Sequence, residues 1–192
     1  YRLKPYYMPS TKVAGTSVLK ALGKEEGRRS HLPWYVYYTA NPSYFRKTYK
    51  FAFVRNPWDR AYSSYKYLSV GGNKTSDHEI SIEINKYKDF DDFVVRGLGE
   101  GLFRNHLLFL PQSEFVLGPL GDIVVDYLGR YESLDSSFSL VAKKLNLSLS
   151  LPRENITTER NDYKNMYKSS EAISVISRIY TQDITSFGYQ FD

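Results

Sequence analysis

Two short segments of the chain carry residue types that suit phosphate binding. The first has the sequence Lys12-Val13-Ala14-Gly15-Thr16-Ser17. Its small residues let the backbone approach an anion, its amine and hydroxyls add donors, and the N–H groups of a following helix point at the same anion. It is not a Walker P-loop, because Gly-x-x-x-x-Gly-Lys-[Ser/Thr] is absent and the lysine precedes the glycine. The segment is a candidate phosphate-binding loop, and a surface role for Lys12 is the alternative.

The second segment begins with Arg55 and reaches Ser63, eight residues later. An arginine fork can bind a phosphate through paired N–H donors, and a serine two turns into a helix can reach the same group. Taken alone, Arg55 is more often part of a structural ion pair than a ligand. Two candidate phosphate-binding segments in one chain arise by chance less often than one. In open α/β sheets, moreover, ligands bind beyond the carboxyl ends of the strands. We therefore expect both segments to bind phosphate groups.

Local patterns predict that the first segment lies between a strand and a helix. Residues 3–8 are mostly apolar and aromatic, which favours a strand. Residues 18–22 have helix-forming composition, and Gly23 suits the end of that helix.

The second segment has stronger signals of the same kind. Residues 50–54 form a short apolar run, which predicts a strand covered on both faces. Asn56 suits a helix N-cap and Pro57 the first helical position. Apolar residues at helical spacing then predict a helix that runs from Pro57 to about Leu68.

The rest of the chain alternates between helical and extended patterns. The further predicted elements are an extended segment at 34–38, helices at 90–95 and 103–110, strands at 115–117 and 123–128, a helix behind Ser133, and a last helix around 173–180. Such alternation predicts an α/β fold. We expect a single domain over residues 1–192, with three layers, a mostly parallel central sheet and P-loop-like strand-loop-helix units.

Positive charge is concentrated in the first third of the chain. The formal net charge is +5, but residues 1–60 hold twelve Lys or Arg against three acidic residues, a net charge of +9. This asymmetry favours a localised anion site over a uniformly basic surface. A solvated basic face without a ligand is the alternative.

Composition excludes several other classes of site. Cysteine is absent, which excludes disulfides, thiolate nucleophiles and cysteine-ligated zinc, and fits a reducing compartment. The three histidines have no i, i+4 pair, so no metal site is expected. No apolar run is long enough to span a bilayer, so stable membrane insertion is not expected. A start at Tyr1 rather than Met leads us to expect a truncated N-terminus.

Several segments of the chain resemble a known family. Residues 51–65 read Phe-Ala-Phe-Val-Arg-Asn-Pro-Trp-Asp-Arg-Ala-Tyr-Ser-Ser-Tyr. This run resembles the 3′-phosphate signature of sulfotransferases that use 3′-phosphoadenosine 5′-phosphosulfate (PAPS), in the carbohydrate (Golgi-type) branch that also has bacterial members. Residues 12–17 are similar to that family's 5′-phosphosulfate loop, commonly Pro-Lys-x-Gly-Gly-Thr-Ser. The segments 110–112, 126–132 and 183–189 also resemble family patterns.

The first loop departs from the family pattern. Proline usually precedes the lysine directly, whereas here Pro9 lies three residues before Lys12. Alignment from the end of the loop makes Lys12 the equivalent lysine, with Ser10 and Thr11 as an insertion.

The resemblance implies a reaction and roles for these residues. The family transfers a sulfuryl group from PAPS to an acceptor hydroxyl and leaves 3′,5′-ADP, without a metal. Lys12 would then be catalytic, by neutralising charge on the bridging oxygen, and the loop would hold the 5′-phosphate. The implied cofactor-binding residues are Lys12, Val13, Ala14, Gly15, Thr16, Ser17, Arg55, Ser63 and Arg130. For Arg130, an ion pair with Glu132 or a neighbour is the alternative.

A base must remove the acceptor's proton, and His31 is the candidate. It lies 24 residues before Arg55, similar to the histidine base in relatives that sulfate uronic acid units. A structural loop histidine is the alternative interpretation, and Glu25 or Glu26 would then be the base. We expect a structural role for His106, with contact to the acceptor or cofactor as the alternative, and solvation for His78.

The expected function is sulfuryl transfer to a hydroxyl of a carbohydrate or other acceptor, with no nucleic acid partner. Two alternatives are a nucleotide-dependent phosphoryl transferase and a non-catalytic nucleic-acid-binding domain, which the sequence pI of about 9.2 would suit. Luminal animal relatives usually carry cysteines and a membrane anchor, so the lack of both favours a bacterial cytoplasmic enzyme. The Golgi lumen is the alternative if an N-terminal anchor is missing. The oligomeric state and the acceptor's identity stay open.

Overall fold

A parallel sheet carries the two candidate phosphate-binding segments at the ends of its strands. The computed structural model describes residues 5–23, 31–152 and 163–191. Within these ranges the sheet has the strand order β1 (Pro5–Tyr7), β2 (Tyr49–Val54) and β3 (Tyr127–Arg130), and both outer strands run parallel to β2. The parallel sheet and its connecting helices confirm the predicted α/β fold class.

Strand β2 is buried on both faces. The exposed fraction of residues 51–54 is between 0% and 2%, and successive strand residues face opposite sides. This matches the prediction of a central strand. On one face, Phe51 and Phe53 pack with Val18 and Phe138 in the main apolar cluster.

Helices connect and flank the strands. In the described part of the chain the α-helices are α1 (Gly15–Ala21), α2 (Trp34–Ala40), α3 (Pro42–Lys47), α4 (Pro57–Ser69), α5 (His78–Ile84), α6 (Phe90–Asp92), α7 (Ser113–Val116), α8 (Leu134–Lys144), α9 (Ser170–Ile179) and α10 (Thr181–Phe187). A π-helical segment (Phe93–Leu98) continues α6, and 3₁₀ turns occupy Tyr131–Ser133 and Tyr163–Met166. No helix in these described ranges combines the length and apolar character needed to cross a membrane.

Helix α4 begins as its sequence predicts. The Asn56 side chain accepts hydrogen bonds from the backbone N–H of Trp58 (3.0 Å) and of Asp59 (3.4 Å). Pro57 occupies the first turn, where its missing N–H costs no hydrogen bond. Local capping therefore determines where this helix starts.

The extended segment predicted at 34–38 is wrong, because these residues belong to α2. Pro33 directly precedes the first turn of α2, and Pro42 opens the first turn of α3. At the start of a helix a proline removes no intrahelical hydrogen bond. The two prolines thus separate two helices instead of bounding a strand.

The helix predicted at 103–110 is also wrong, because the segment forms successive turns. Its carbonyl groups have other partners: the buried Arg60 guanidinium donates to the carbonyls of Leu108 (3.2 Å) and Leu110 (2.8 Å). The course of this segment thus depends on tertiary contacts with α4, which its local sequence does not indicate.

The strand predictions after residue 110 need correction as well. Residues 115–117 were expected in a strand, but the chain forms α7 and only Leu117 makes a bridge, to Ile123. The next strand begins at Tyr127 and not at Ile123. The helix predicted behind Ser133 is confirmed as α8 and the last predicted helix as α9, whereas α10 was not predicted.

The described residues divide into two compact units. The first contains those of residues 1–55 and 112–158, and the second contains those of 56–111 and 159–192. The first unit holds the whole sheet with α1, α2, α3, α7 and α8. The single-domain assignment for residues 1–192 stays a prediction.

Candidate anion-binding site

The loop after β1 is anchored to the end of β2. The Met8 N–H donates to the Phe51 carbonyl (2.9 Å), and Pro9 then interrupts the strand. If β1 continued as a parallel strand, the Ser10 N–H would donate to the Phe53 carbonyl. The Ser10 hydroxyl makes that hydrogen bond instead (3.1 Å). The inserted residues Ser10 and Thr11 are both buried, so the insertion is part of the fold.

The backbone of this loop has the form of an anion cradle. Lys12 and Ala14 both have φ of 61°, in the left-handed region, and Val13 between them does not. Backbone that alternates between the two regions turns successive N–H groups toward one side, where they can bind an anion. Ala14 is the N-cap of α1, which begins at Gly15. The local geometry supports phosphate binding by this segment.

Arg55 lies beside the same loop. Its Nη1 donates to the Lys12 carbonyl (3.1 Å), and its guanidinium carbon lies 4.3 Å from the centre of the Tyr131 ring, a cation–π contact. The two strand-end segments therefore meet within the first unit, as expected for neighbouring parallel strands.

The charges of these two residues interact. Burial, and secondarily the positive charge of Arg55, lower the pKa of Lys12 from 10.5 to about 8. Both causes disfavour the charged amine. A bound anion would act in the opposite direction, so the pair forms a cationic site suited to a phosphate or sulfate group.

His31 contacts the start of the same loop. Its Nδ1 lies 3.1 Å from the Pro9 carbonyl oxygen. A carbonyl only accepts hydrogen bonds, so Nδ1 carries the proton, and in the neutral ring the basic electron pair is on Nε2. The alternative bases Glu25 and Glu26 lie outside the described residues.

The remaining predicted residues lie in different surroundings. Gly15, Thr16 and Ser17 form the first turn of α1, with Ser17 buried. Val13 is fully buried in the apolar cluster, so only its backbone can bind an anion. Arg130 ends β3, paired in register with Val54.

Ser63 belongs to the second unit. It lies in the second turn of α4 and is half-buried. The adjacent Ser64 is fully buried and donates to the Leu108 carbonyl (3.1 Å), so this second serine has a structural role.

Three residues that support the site had no assigned role in the sequence analysis: Ser10, Gln112 and Tyr131. Tyr131 had a usable signal, because it follows β3 directly, just as Arg55 follows β2. Gln112 pairs with the backbone of Arg55, which is 57 residues away, and no local pattern indicates that contact.

The other two histidines lie in the second unit. His106 accepts a hydrogen bond from the Leu108 N–H at Nδ1 (3.3 Å), and burial lowers its pKa. This agrees with the structural role expected for it. His78 is exposed at the start of α5, also as expected. Among the described residues, no three His, Asp or Glu side chains lie together as a metal site.

Comparison with known proteins gave one match. A family model described as "Sulfotransferase family" matches residues 24–190, well over half of the chain. The matched range includes His31, Arg55, Ser63 and Arg130, whereas residues 12–17 precede it. No curated protein and no solved structure gave a match.

Proposed function

Because the chain belongs to the sulfotransferase family, we propose that it transfers a sulfuryl group from PAPS to a hydroxyl group of a carbohydrate. Family membership makes the protein an enzyme of sulfuryl transfer with a hydroxyl-bearing acceptor. The donor and the class of acceptor are our proposal. One observation carries the choice of donor: the hydrogen bond from Arg55 to the Lys12 carbonyl, which joins two cationic loops (3.1 Å).

PAPS has anionic groups at both ends of its ribose, and the residues of the site fit such a molecule. The loop of residues 12–17 would hold the 5′-phosphosulfate, through backbone N–H groups and the Lys12 amine. Arg55 would hold the 3′-phosphate, which ATP lacks. Arg130, at the end of the strand beside β2, would contact the nucleotide. The cationic pair and the alternating backbone of the loop support this assignment.

Lys12 would stabilise the leaving group. As the new bond from sulfur to the acceptor oxygen forms, the bond from sulfur to the bridging oxygen breaks and negative charge grows on that oxygen. With a pKa of about 8, Lys12 is roughly nine-tenths protonated at pH 7. A donor whose pKa is close to the working pH also gives up its proton readily. Lys12 would therefore neutralise the charge on 3′,5′-ADP as it leaves.

His31 would remove the proton of the acceptor hydroxyl. The hydrogen bond from Nδ1 to the Pro9 carbonyl would hold the ring in the tautomer with its electron pair on Nε2. Proton removal of this kind contributes about 10²- to 10⁴-fold to a rate. The products are then a sulfate ester, 3′,5′-ADP and a protonated base.

The aromatic surface of α2 supports a carbohydrate acceptor. This helix starts three residues after His31 and has no buried side chain. The side chains of Tyr35 and Tyr38 are 53% and 36% exposed, and Arg46 donates to the Tyr38 hydroxyl (3.3 Å). Exposed rings with polar edges suit sugars, which combine an apolar C–H face with a rim of hydroxyls.

Titration calorimetry with 3′,5′-ADP, ATP and a short oligonucleotide tests the proposed donor. We expect 3′,5′-ADP to bind much more tightly than ATP, and Arg55→Ala to remove most of that difference. Arg46→Ala, an exposed arginine on α3, is the matched control and should keep it. Tighter binding of ATP would support a phosphoryl transferase, and preferential oligonucleotide binding with steep salt dependence would support a nucleic-acid-binding domain. Either result would overturn the proposal.

We also propose a bacterial cytoplasmic location, from the cysteine-free composition. The Golgi lumen is the alternative. Fractionation of cells that express the full-length protein separates the two.

A further inference from the structure

Gln112 holds the backbone of Arg55 at the point where β2 ends. Its Oε1 accepts a hydrogen bond from the Arg55 N–H, and its Nε2 donates to the Arg55 carbonyl, both at 2.8 Å. The side chain has no exposed surface. We propose that Gln112 is a positioning residue, which orients Arg55 so that the site selects nucleotides with a 3′-phosphate. This inference rests on the proposed function.

Arg55 needs such a partner because the sheet ends before it. The β1 pairing stops at Phe51, and the β3 pairing stops where Val54 meets Arg130. Arg55 is thus the first residue beyond the ladder, in a half-buried position where its N–H and carbonyl still require hydrogen bonds. A glutamine amide carries one donor and one acceptor group side by side, which matches the N–H and C=O of one residue in an extended strand. Gln112 therefore extends the hydrogen bonding of β2 by one residue.

The main chain of Gln112 is itself fixed. Its carbonyl accepts the N–H of Phe115 (3.0 Å), and α7 begins at the next residue. A fixed side chain thus holds the Arg55 main chain. The Arg55 guanidinium extends from that anchored backbone to the Lys12 carbonyl and the Tyr131 ring. Without the anchor, the same guanidinium would sample other directions and lose affinity for a phosphate in one fixed position.

The test compares two nucleotides that differ in one group. The 3′-phosphate is present in 3′,5′-ADP and absent from 5′-AMP. Gln112→Met keeps the length of the side chain and removes both hydrogen bonds. We expect the Kd of 3′,5′-ADP to rise about tenfold and that of 5′-AMP to change less than twofold. Gln182→Met, at an exposed position of α10, is the matched control and should change neither Kd.

A merely structural role predicts a different result. If Gln112→Met weakens both nucleotides equally, or weakens neither, the positioning role is overturned. Should that variant not fold, Gln112→Glu replaces it, because a carboxylate still accepts from the Arg55 N–H but cannot donate to its carbonyl. We expect this variant to lose part of the selectivity, and full wild-type selectivity would contradict the proposal.

Hydrogen exchange at the Arg55 amide separates this inference from the proposed function. We expect Gln112→Met to speed that exchange, whichever nucleotide the protein binds. If the wild type does not distinguish the two nucleotides, the proposed function fails, and slow exchange in the variant would overturn the anchoring itself. Fast exchange with unchanged selectivity would overturn the positioning role alone.

Discussion

The pKa of Lys12 is lower than that of an exposed lysine. Its pKa falls to about 8 because burial, and then the nearby charge of Arg55, oppose the charged amine. A phosphate bound beside it would favour the charged form and raise the pKa again. Nucleotide binding and protonation of Lys12 are therefore linked.

This linkage predicts the pH dependence of 3′,5′-ADP binding. At pH 7 Lys12 is already mostly protonated, so binding takes up little proton there. Above pH 8 the free protein has lost the proton and the complex regains it, so the Kd should rise by up to about tenfold per pH unit. The ligand's phosphates do not interfere, because their second ionisation, near a pKa of about 6, is complete. Calorimetry at pH 7 and pH 9, in two buffers of different ionisation enthalpy, measures the uptake.

Lys12→Met is the control for that measurement. It should bind more weakly, with no proton uptake at pH 9 and a Kd that is flat between pH 7 and 9. Equal proton uptake by the variant and the wild type would assign the effect to another group.

His31 can be tested by separating its hydrogen bond from its basicity. In His31→Asn the side-chain amide can still donate to the Pro9 carbonyl, but it has no basic nitrogen. We expect kcat to fall by about 10²- to 10⁴-fold while the Kd of 3′,5′-ADP stays the same. Turnover is measured with a sulfated-product assay at saturating donor. Near-normal turnover in this variant would leave Glu25 or Glu26 as candidates for the base.

The junction between the first loop and α1 requires a left-handed residue at its N-cap. Ala14 fills that position with φ of 61°, where a side chain with a Cβ is strained by about 1–2 kcal/mol. Glycine adopts this conformation freely but loses more entropy on folding. Ala14→Gly should therefore raise the free energy of unfolding by up to about 1 kcal/mol, as urea denaturation would measure.

Gly15→Ala is the contrasting variant at the next position. Gly15 is helical, and an added Cβ would lie 3.7 Å from the Tyr7 hydroxyl, an ordinary contact. We expect it to be tolerated without loss of stability. If Ala14→Gly is destabilising while Gly15→Ala is tolerated, the strain assigned to Ala14 is wrong.

Elements with local signals were predictable from the sequence. Helix α4 follows its cap and its proline, and β2 follows its apolar run. The segment 103–110 was not predictable, because Arg60 of α4 binds its end, and the local sequence gives no sign of that tertiary contact. Aromatic residues favour strands when no tertiary contact is known, so the local pattern of α2 predicts extended chain.

The candidate site also combines features that the local sequence predicts with features that depend on tertiary contacts. Ligands bind beyond the carboxyl ends of parallel strands, and this rule correctly predicts that the Lys12 loop and Arg55 meet within the first unit. The anchors of that arrangement depend on contacts between distant residues: Ser10 with the Phe53 carbonyl, and Gln112 with Arg55. No periodicity or motif encodes such pairs, so they emerge only from the fold.

At the scale of the whole molecule, each compact unit is built from two separate stretches of chain. The chain passes from one unit to the other after residues 55 and 111, and again between the described residues 152 and 163. Residues 56–111 form an insertion whose two ends are joined by the hydrogen bonds between Arg55 and Gln112. Neither unit can be completed from one continuous stretch. We therefore propose that residues 1–192 fold as a single domain.

The two tryptophans allow a direct test of cooperative unfolding. Trp34 lies in the first unit and Trp58 in the second, so Trp58→Phe and Trp34→Phe each leave one fluorescent probe in a known unit. Within each variant we expect the tryptophan signal and far-UV circular dichroism to give coincident urea transitions. Adding 3′,5′-ADP at about 100 times its Kd should stabilise both probes by about 2.7 kcal/mol, although Lys12 and Arg55 lie in the first unit. If only Trp34 responds to the ligand, or its midpoint differs from that of circular dichroism, the units unfold separately and the single-domain assignment is wrong.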